Sequence, residues 1–345
     1  MLGDLSVWYL FLAGAGAGAL VAAAVLEQLT PLGARYAVPG LAGAAPAPAR
    51  RVLAAPTAHR SGAWRPRPRR LAPAGALIAP AVPREALRPF LGPAYGAGLI
   101  AVLLGMACLL ADLGRPDRLI VLLTSPTPSY IAVGAYLLGA LVLCALAPVA
   151  QWALGMAPPR GLAAAARVGC VAAGIAVMAY TGLFLASLQA IAFWHSPWLP
   201  ALFVASAASS GLGLLTGAVA LGPAPDAFQS TLGRVRRADA AAIVVEAALL
   251  AALIADALVS GDAARASAAQ LVGGALAPSF WLLVVGLGLI APLAAELAVA
   301  DPTPRAQLAV AACLLAGGLA LRWCVVQAAT APDVAAFVAA ALGMG

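Results

Sequence analysis

Six ionisable side chains lie inside or at the ends of apolar segments: Glu27, Asp112, Glu246, Asp256, Glu296 and Arg322. A charge facing hydrocarbon is costly, so such residues pair with one another, line polar cavities or carry protons. By depth along their segments, Asp112, Asp256 and Arg322 fall toward one membrane surface, and Glu27, Glu246 and Glu296 toward the other. This distribution suits proton exchange at one surface with a path to the opposite one. Glu246, Glu296, Asp256 and Arg322 are the candidates for that path. Glu27 and Glu296 sit at segment ends, where a carboxylate is expected to reach the interface. Glu246 and Arg322 lie deeper, where function or structural pairing is expected.

A second set of residues surrounds two turns. From residue 168 to 225 there is no Asp, Glu or Arg, and in the middle stands Trp194-His195-Ser196-Pro197-Trp198-Leu199-Pro200. Prolines end helices and tryptophans favour the membrane interface, so this is the tip of a helical hairpin. His195 is a candidate to exchange a proton with a ligand, as histidine side chains commonly do; it also suits a histidine that merely bonds its own turn. Tyr180 and Gln189, on the approach to that turn, are candidates to contact a bound ring, although tyrosines on membrane helices commonly just pack. The other turn is Asp112-Leu113-Gly114-Arg115-Pro116-Asp117-Arg118. Asp112 can accept a hydrogen bond there, and Arg115 can pair with it or with a partner protein.

The elements that must position these groups follow from composition. The chain has 345 residues, 63% hydrophobic and 10% charged, with a mean hydropathy of +0.98. That balance excludes a soluble domain and indicates an all-α membrane protein. Apolar runs broken by turn residues predict eight transmembrane helices near 5–28, 89–112, 130–151, 165–192, 198–222, 239–260, 276–299 and 305–330. No arginine precedes the first run, unlike a secretory signal, so it is expected to stay in the mature protein. The expected organisation is a first helix over 1–30, an Arg/Pro-rich loop over 31–88 and a seven-helix remainder over 89–345 of one membrane domain. The loop holds ten arginines, ten prolines and one acid, Glu85. Such a segment buries little apolar surface and is expected to be flexible in large part. With this loop in the cytoplasm and sides alternating, 16 arginines fall inside and 3 outside. The bias predicts a multi-pass protein of the cytoplasmic (inner) membrane with both termini outside. It also puts the Asp112 and His195 turns on the same outer face.

Several chemistries are excluded. The five cysteines form no CxxC pair, so no iron–sulfur, zinc or covalent haem motif is present. The two histidines, His59 in the basic loop and His195 at a turn, cannot face each other across a haem. No P-loop, GxSxG or HExxH motif occurs.

The residues at 8–20 (WYLFLAGAGAGAL), 112–118 (DLGRPDR), 180–213 (YTGLFLAS…FWHSPWLPALFVASAASSGLG), 286–297 (GLGLIAPLAAEL) and 321–329 (LRWCVVQAA) resemble, in order, the NrfD/PsrC family. These are integral membrane subunits of polysulfide-reductase-like molybdopterin oxidoreductases. The resemblance implies eight helices in two four-helix bundles without haem. It implies a quinone site, for menaquinone or ubiquinone, near the outer surface. It also implies docking of a ferredoxin-like four-cluster iron–sulfur subunit that exchanges electrons with a molybdopterin catalytic subunit. The expected partners are thus those subunits and the lipid bilayer, with no nucleic acid. The chain departs from the family in having no histidine in its first helix and in its long loop 31–88. A transporter with a polar midplane site and a purely structural anchor are the alternative readings. No internal repeat supports the transporter, and retained quinone would distinguish the anchor.

Overall fold

Helix α1, Asp4–Leu29, has 26 residues, about 39 Å at 1.5 Å per residue, enough to cross a hydrocarbon core of about 30 Å. Within a bilayer the backbone must satisfy its own hydrogen bonds, so runs this apolar fold as helices. The same reasoning yields α2 (Arg84–Asp112), α3 (Tyr130–Trp152), α4 (Arg160–Ala186), α5 (Trp198–Ala220) and α6 (Gln229–Val259). The short α7 (Asp262–Val272) follows, then α8 (Ala277–Ala298) and α9 (Pro304–Ala341). The computed structural model describes residues 3–29, 84–112, 130–188, 191–222, 229–298 and 303–341. Among these, every regular element is helical, and eight helices are long and apolar enough to span a membrane. Most of the loop 31–88, together with Arg115 and Gln189, lies outside the described residues.

Side-chain bonds fix which helix ends meet. Ser6 at the start of α1 donates to Asp112 at the end of α2. Ser196, before α5, donates to Asp256 near the end of α6. Arg167 near the start of α4 pairs with Glu27 near the end of α1. The first two bonds define an Asp4 face and the third a Leu29 face. Helix α7 joins the Asp4 face, where its 11 residues cover the turn Ala192–Trp194.

Helix α1 is the central element. It packs against α4, α5 and α9, and Gly16 and Gly98 bring it against α2. The α1–α5 contact is backbone on backbone. A Cβ at Gly18 would strike the Ala207 carbonyl, and one at Gly211 would strike the Gly18 backbone. Without a hydrophobic force between helices in lipid, such small-residue contacts drive association. Gly211→Val is therefore expected to lower thermal stability in detergent by about 3 kcal/mol, an overpacking cost. Gly139→Ala, which meets nothing within 4 Å, is expected to leave the melting profile unchanged.

Three elements differ from the sequence expectation. Helix α6 starts at Gln229, not near 239, because helices continue past the apolar run into the charged interface. The run ending near 192 stops as α-helix at Ala186, and Ala192–Trp194 form a single 3₁₀ turn that leads into the hairpin tip. In α8, residues Phe280–Ile290 are π-helical, a wide winding for which the sequence has no signal; Gly288 there lies against Gly317 of α9.

Candidate functional site

The Asp4 face carries the first cluster. Asp112 is exposed and its Oδ2 accepts from Ser6 Oγ at 2.6 Å. Below it, Tyr180 of α4 is 6% exposed and Tyr9 of α1 is 4% exposed, with the two phenols facing each other. Gly134 of α3 makes room for the Tyr180 ring, since a Cβ there would overlap the phenol. Phe184 lies 6.0 Å from that ring, centroid to centroid. Two hydroxyl donors beside an apolar wall suit the carbonyl oxygens of a planar ring at the membrane interface.

The hairpin tip is built differently from its sequence expectation. His195 is exposed, whereas its neighbour Ser196 is buried. Ser196 Oγ donates to Asp256 Oδ2 at 2.6 Å and accepts from the Trp198 N–H at 3.3 Å. Trp194 is 1% exposed and its indole N–H donates to the Val325 carbonyl of α9 at 3.1 Å. These bonds hold the turn and leave the imidazole at the surface. Asp256 thus anchors the tip; it is ten residues from Glu246 on α6, about 15 Å along the axis.

The second cluster lies among α5, α6, α8 and α9. Arg322 is 0% exposed. Its Nη1 donates to Ser206 Oγ and to the Gly318 carbonyl, both at 3.0 Å. Its guanidinium carbon lies 5.6 Å from the Phe11 ring centroid and 5.2 Å from that of Phe203, within cation–π range. Nε and Nη2 have no hydrogen-bond partner among the described residues. Glu246, 6% exposed, faces both Arg322 and Ser206. Glu246 and Arg322 are both buried, and among the described residues no ion pair within 4.0 Å joins them.

Toward the Leu29 face the polar groups continue. Asp239, which sequence reasoning missed, is 2% exposed. Its carboxyl group faces Glu296 of α8 and Ser209 of α5. Arg236 Nη2 donates to the Glu296 backbone carbonyl at 2.8 Å. A cavity of about 40 Å³ opens beside them, lined among others by Thr216, Arg236, Glu296 and Gln307, with room for about two or three waters. Glu296 is half-buried and turned inward rather than reaching out to the interface. The groups thus form a file: Arg322, Ser206, Glu246, then Ser209, Asp239, Glu296 and the cavity.

Glu27 also departs from its expected interfacial position. It is 2% exposed and accepts from Tyr95 Oη at 2.8 Å, Arg167 Nη1 at 2.8 Å and Gln151 Nε2 at 3.4 Å. One residue from each of α1, α2, α3 and α4 meets there, so the carboxylate staples the Leu29 ends of these helices. Breaking a buried, hydrogen-bonded pair by removing one partner is strongly destabilising. Glu27→Ala is expected to cost about 3 kcal/mol, read as a lower melting temperature of the purified protein.

Among the described residues, no group of three or more His, Cys, Asp or Glu is arranged to hold a metal ion. Residues 93–332 match the family model described as polysulphide reductase, NrfD. The chain is 32% identical to the C subunit of polysulfide reductase from Wolinella succinogenes over 189 residues, 53% of this chain and 57% of that protein. It is 35% identical to protein NrfD of Escherichia coli strain K12 over 116 residues, 33% of this chain and 36% of that protein. The chain therefore spans little more than half of the first relative and about a third of the second. The family match extends from α2 to α9 and includes Tyr180, Asp239, Glu246, Glu296 and Arg322. By that match, the chain belongs to the polysulphide reductase NrfD family.

Proposed function

We propose that this chain is the quinone-reactive membrane subunit of a molybdopterin oxidoreductase complex. It exchanges electrons between the membrane quinone pool and an iron–sulfur subunit, with linked proton exchange. The observation that carries the reading is the buried Tyr9–Tyr180 pair beneath Asp112 on the Asp4 face, in a chain of this family. In this reading the Asp4 face is outer, as the arginine bias requires. The iron–sulfur partner docks over that face.

A bound quinol would give up two electrons and two protons on becoming quinone, and a bound quinone would take them up in the reverse direction. The chain positions the head group near the outer ends of α1–α4. Tyr180 and Tyr9 offer hydrogen bonds to ring oxygens, and Phe184 and the Gly134 gap shape the apolar wall. Asp112 is the carboxylate that takes a proton near water, and the exposed His195 passes it to solvent. Gln189 and Arg115, candidates by sequence for contacts to the ring and to the partner, lie outside the described residues. Asp256 keeps the tip in place through Ser196. The file from Arg322 through Glu246 to Glu296 serves proton movement between the outer zone and the inner side.

Purification of the native complex with metal and quinone analysis tests this reading. Retained quinone with co-purifying iron and molybdenum is the expected result. A pure, active complex that neither retains quinone nor oxidises quinol would leave the chain a structural anchor.

A further inference from the structure

We propose that Asp239 and Glu296 hold one exchangeable proton between them, forming a proton-loading site at the Leu29 end of the polar file. The inference deepens the proton-exchange part of the proposed function and rests on it for its role, although the site itself is independent of any quinone.

The geometry carries it. Two carboxyl groups face each other between α6 and α8. Asp239 is almost fully buried, and its Oδ1 has no hydrogen-bond partner among the described residues; neither has Glu296 Oε2. Two bare carboxylates at this range and burial repel strongly. The groups that face them from each neighbouring element are few. Helix α5 offers Ser209, and α6 offers Arg236 and, further along, Glu246. Helix α9 offers Gln307 across the cavity. Arg322, a fully buried cation, is committed to Ser206 and Gly318 nearer the opposite face. Asp239 and Glu296 set against Arg236 leave one negative charge over, and one added cation neutralises the cluster.

That cation is a proton rather than a metal ion. Among the described residues, no third His, Cys, Asp or Glu joins the two carboxyls to form a metal-binding group. A proton needs only two oxygens, one from each carboxyl. Its source and exit are both adjacent. Water in the cavity beside Glu296 delivers it from the Leu29 side. Glu246 stands seven residues beyond Asp239 on α6, on the same helix face and about 10 Å up the axis. A proton leaving the pair for Glu246 restores the charge that the cavity water then refills.

Infrared difference spectroscopy of the purified complex, without added quinone, tests the site. The wild type is expected to show the carbonyl stretch of a protonated carboxyl that shifts in deuterium oxide. Asp239→Asn and Glu296→Gln are each expected to abolish it, and Asp262→Asn, at an exposed position, to leave it unchanged. The amide variants keep the shape and hydrogen-bonding capacity of the acids, so a normal melting temperature separates loss of the proton from loss of the fold. Absence of the band in the wild type, or its persistence in both variants, overturns the proposal. Displacement of the band by sodium at constant pH overturns it in favour of a metal cation. Because no quinone is involved, failure here leaves the quinone reading standing, and failure to retain quinone leaves this band in place.

Discussion

Arg322→Leu is expected to be the most damaging single substitution in the membrane region. Arg322 is fully buried and bonds Ser206 and the Gly318 carbonyl, and the buried Glu246 lies within its electrostatic reach. Removing one partner of a buried charge pair costs about 3–5 kcal/mol, because the survivor is left uncompensated. Low yield of folded subunit is the expected outcome, with little quinol-linked turnover in what remains. The double variant Arg322→Leu/Glu246→Gln removes both charges and is expected to recover most of the stability, the coupling that a double-mutant cycle reads. Turnover is expected to stay low in the double variant, since the file has lost two of its titratable or charged members. An Arg322→Leu protein with normal yield and turnover would show the pair to be incidental.

The second large effect concerns the outer cluster. Asp112→Asn keeps the hydrogen bond from Ser6 but removes the proton acceptor. Loss of a positioned general acid or base costs about 10²-fold or more, so quinol oxidation is expected to slow by about that factor. His195→Ala is expected to slow it less, because an exposed group has solvent as its substitute. Both variants are expected to assemble normally and to retain activity with an artificial electron donor, which bypasses the quinone site. Normal quinol turnover in both would remove Asp112 and His195 from the mechanism.

Much of the architecture was legible in the chain because membrane helices are written locally. An apolar run of about 20 residues is sufficient to place a crossing, and all eight expected runs correspond to observed spans. That Arg322 turns away from lipid was legible for a related reason, since a deep charge in lipid is costly, and it lies buried against Ser206 and the Gly318 carbonyl. Partners distant in sequence were not legible. Glu27 meets residues 68, 124 and 140 positions away, and nothing local distinguishes it from a carboxylate that reaches the interface. Asp239 was hidden by its neighbours. It follows Arg234, Arg236 and Arg237, which read as loop charges, yet α6 begins before all of them and carries Asp239 inside. At the hairpin tip, residue chemistry drew the eye to His195, while burial and bonding fall on Ser196. The π-helical winding of α8 has no compositional signature in this sequence.

The most direct measurement of the central claim is photolabelling of the native complex with a quinone analogue that carries its reactive group on the ring, followed by peptide mapping. Labelling confined to the outer ends of α1–α4 and the 192–198 turn, near Tyr9, Asp112 and Tyr180, is the expected result. Labelling beside Glu27, Glu246 or Glu296 would place the head group toward the cytoplasmic side and contradict the outer quinone site.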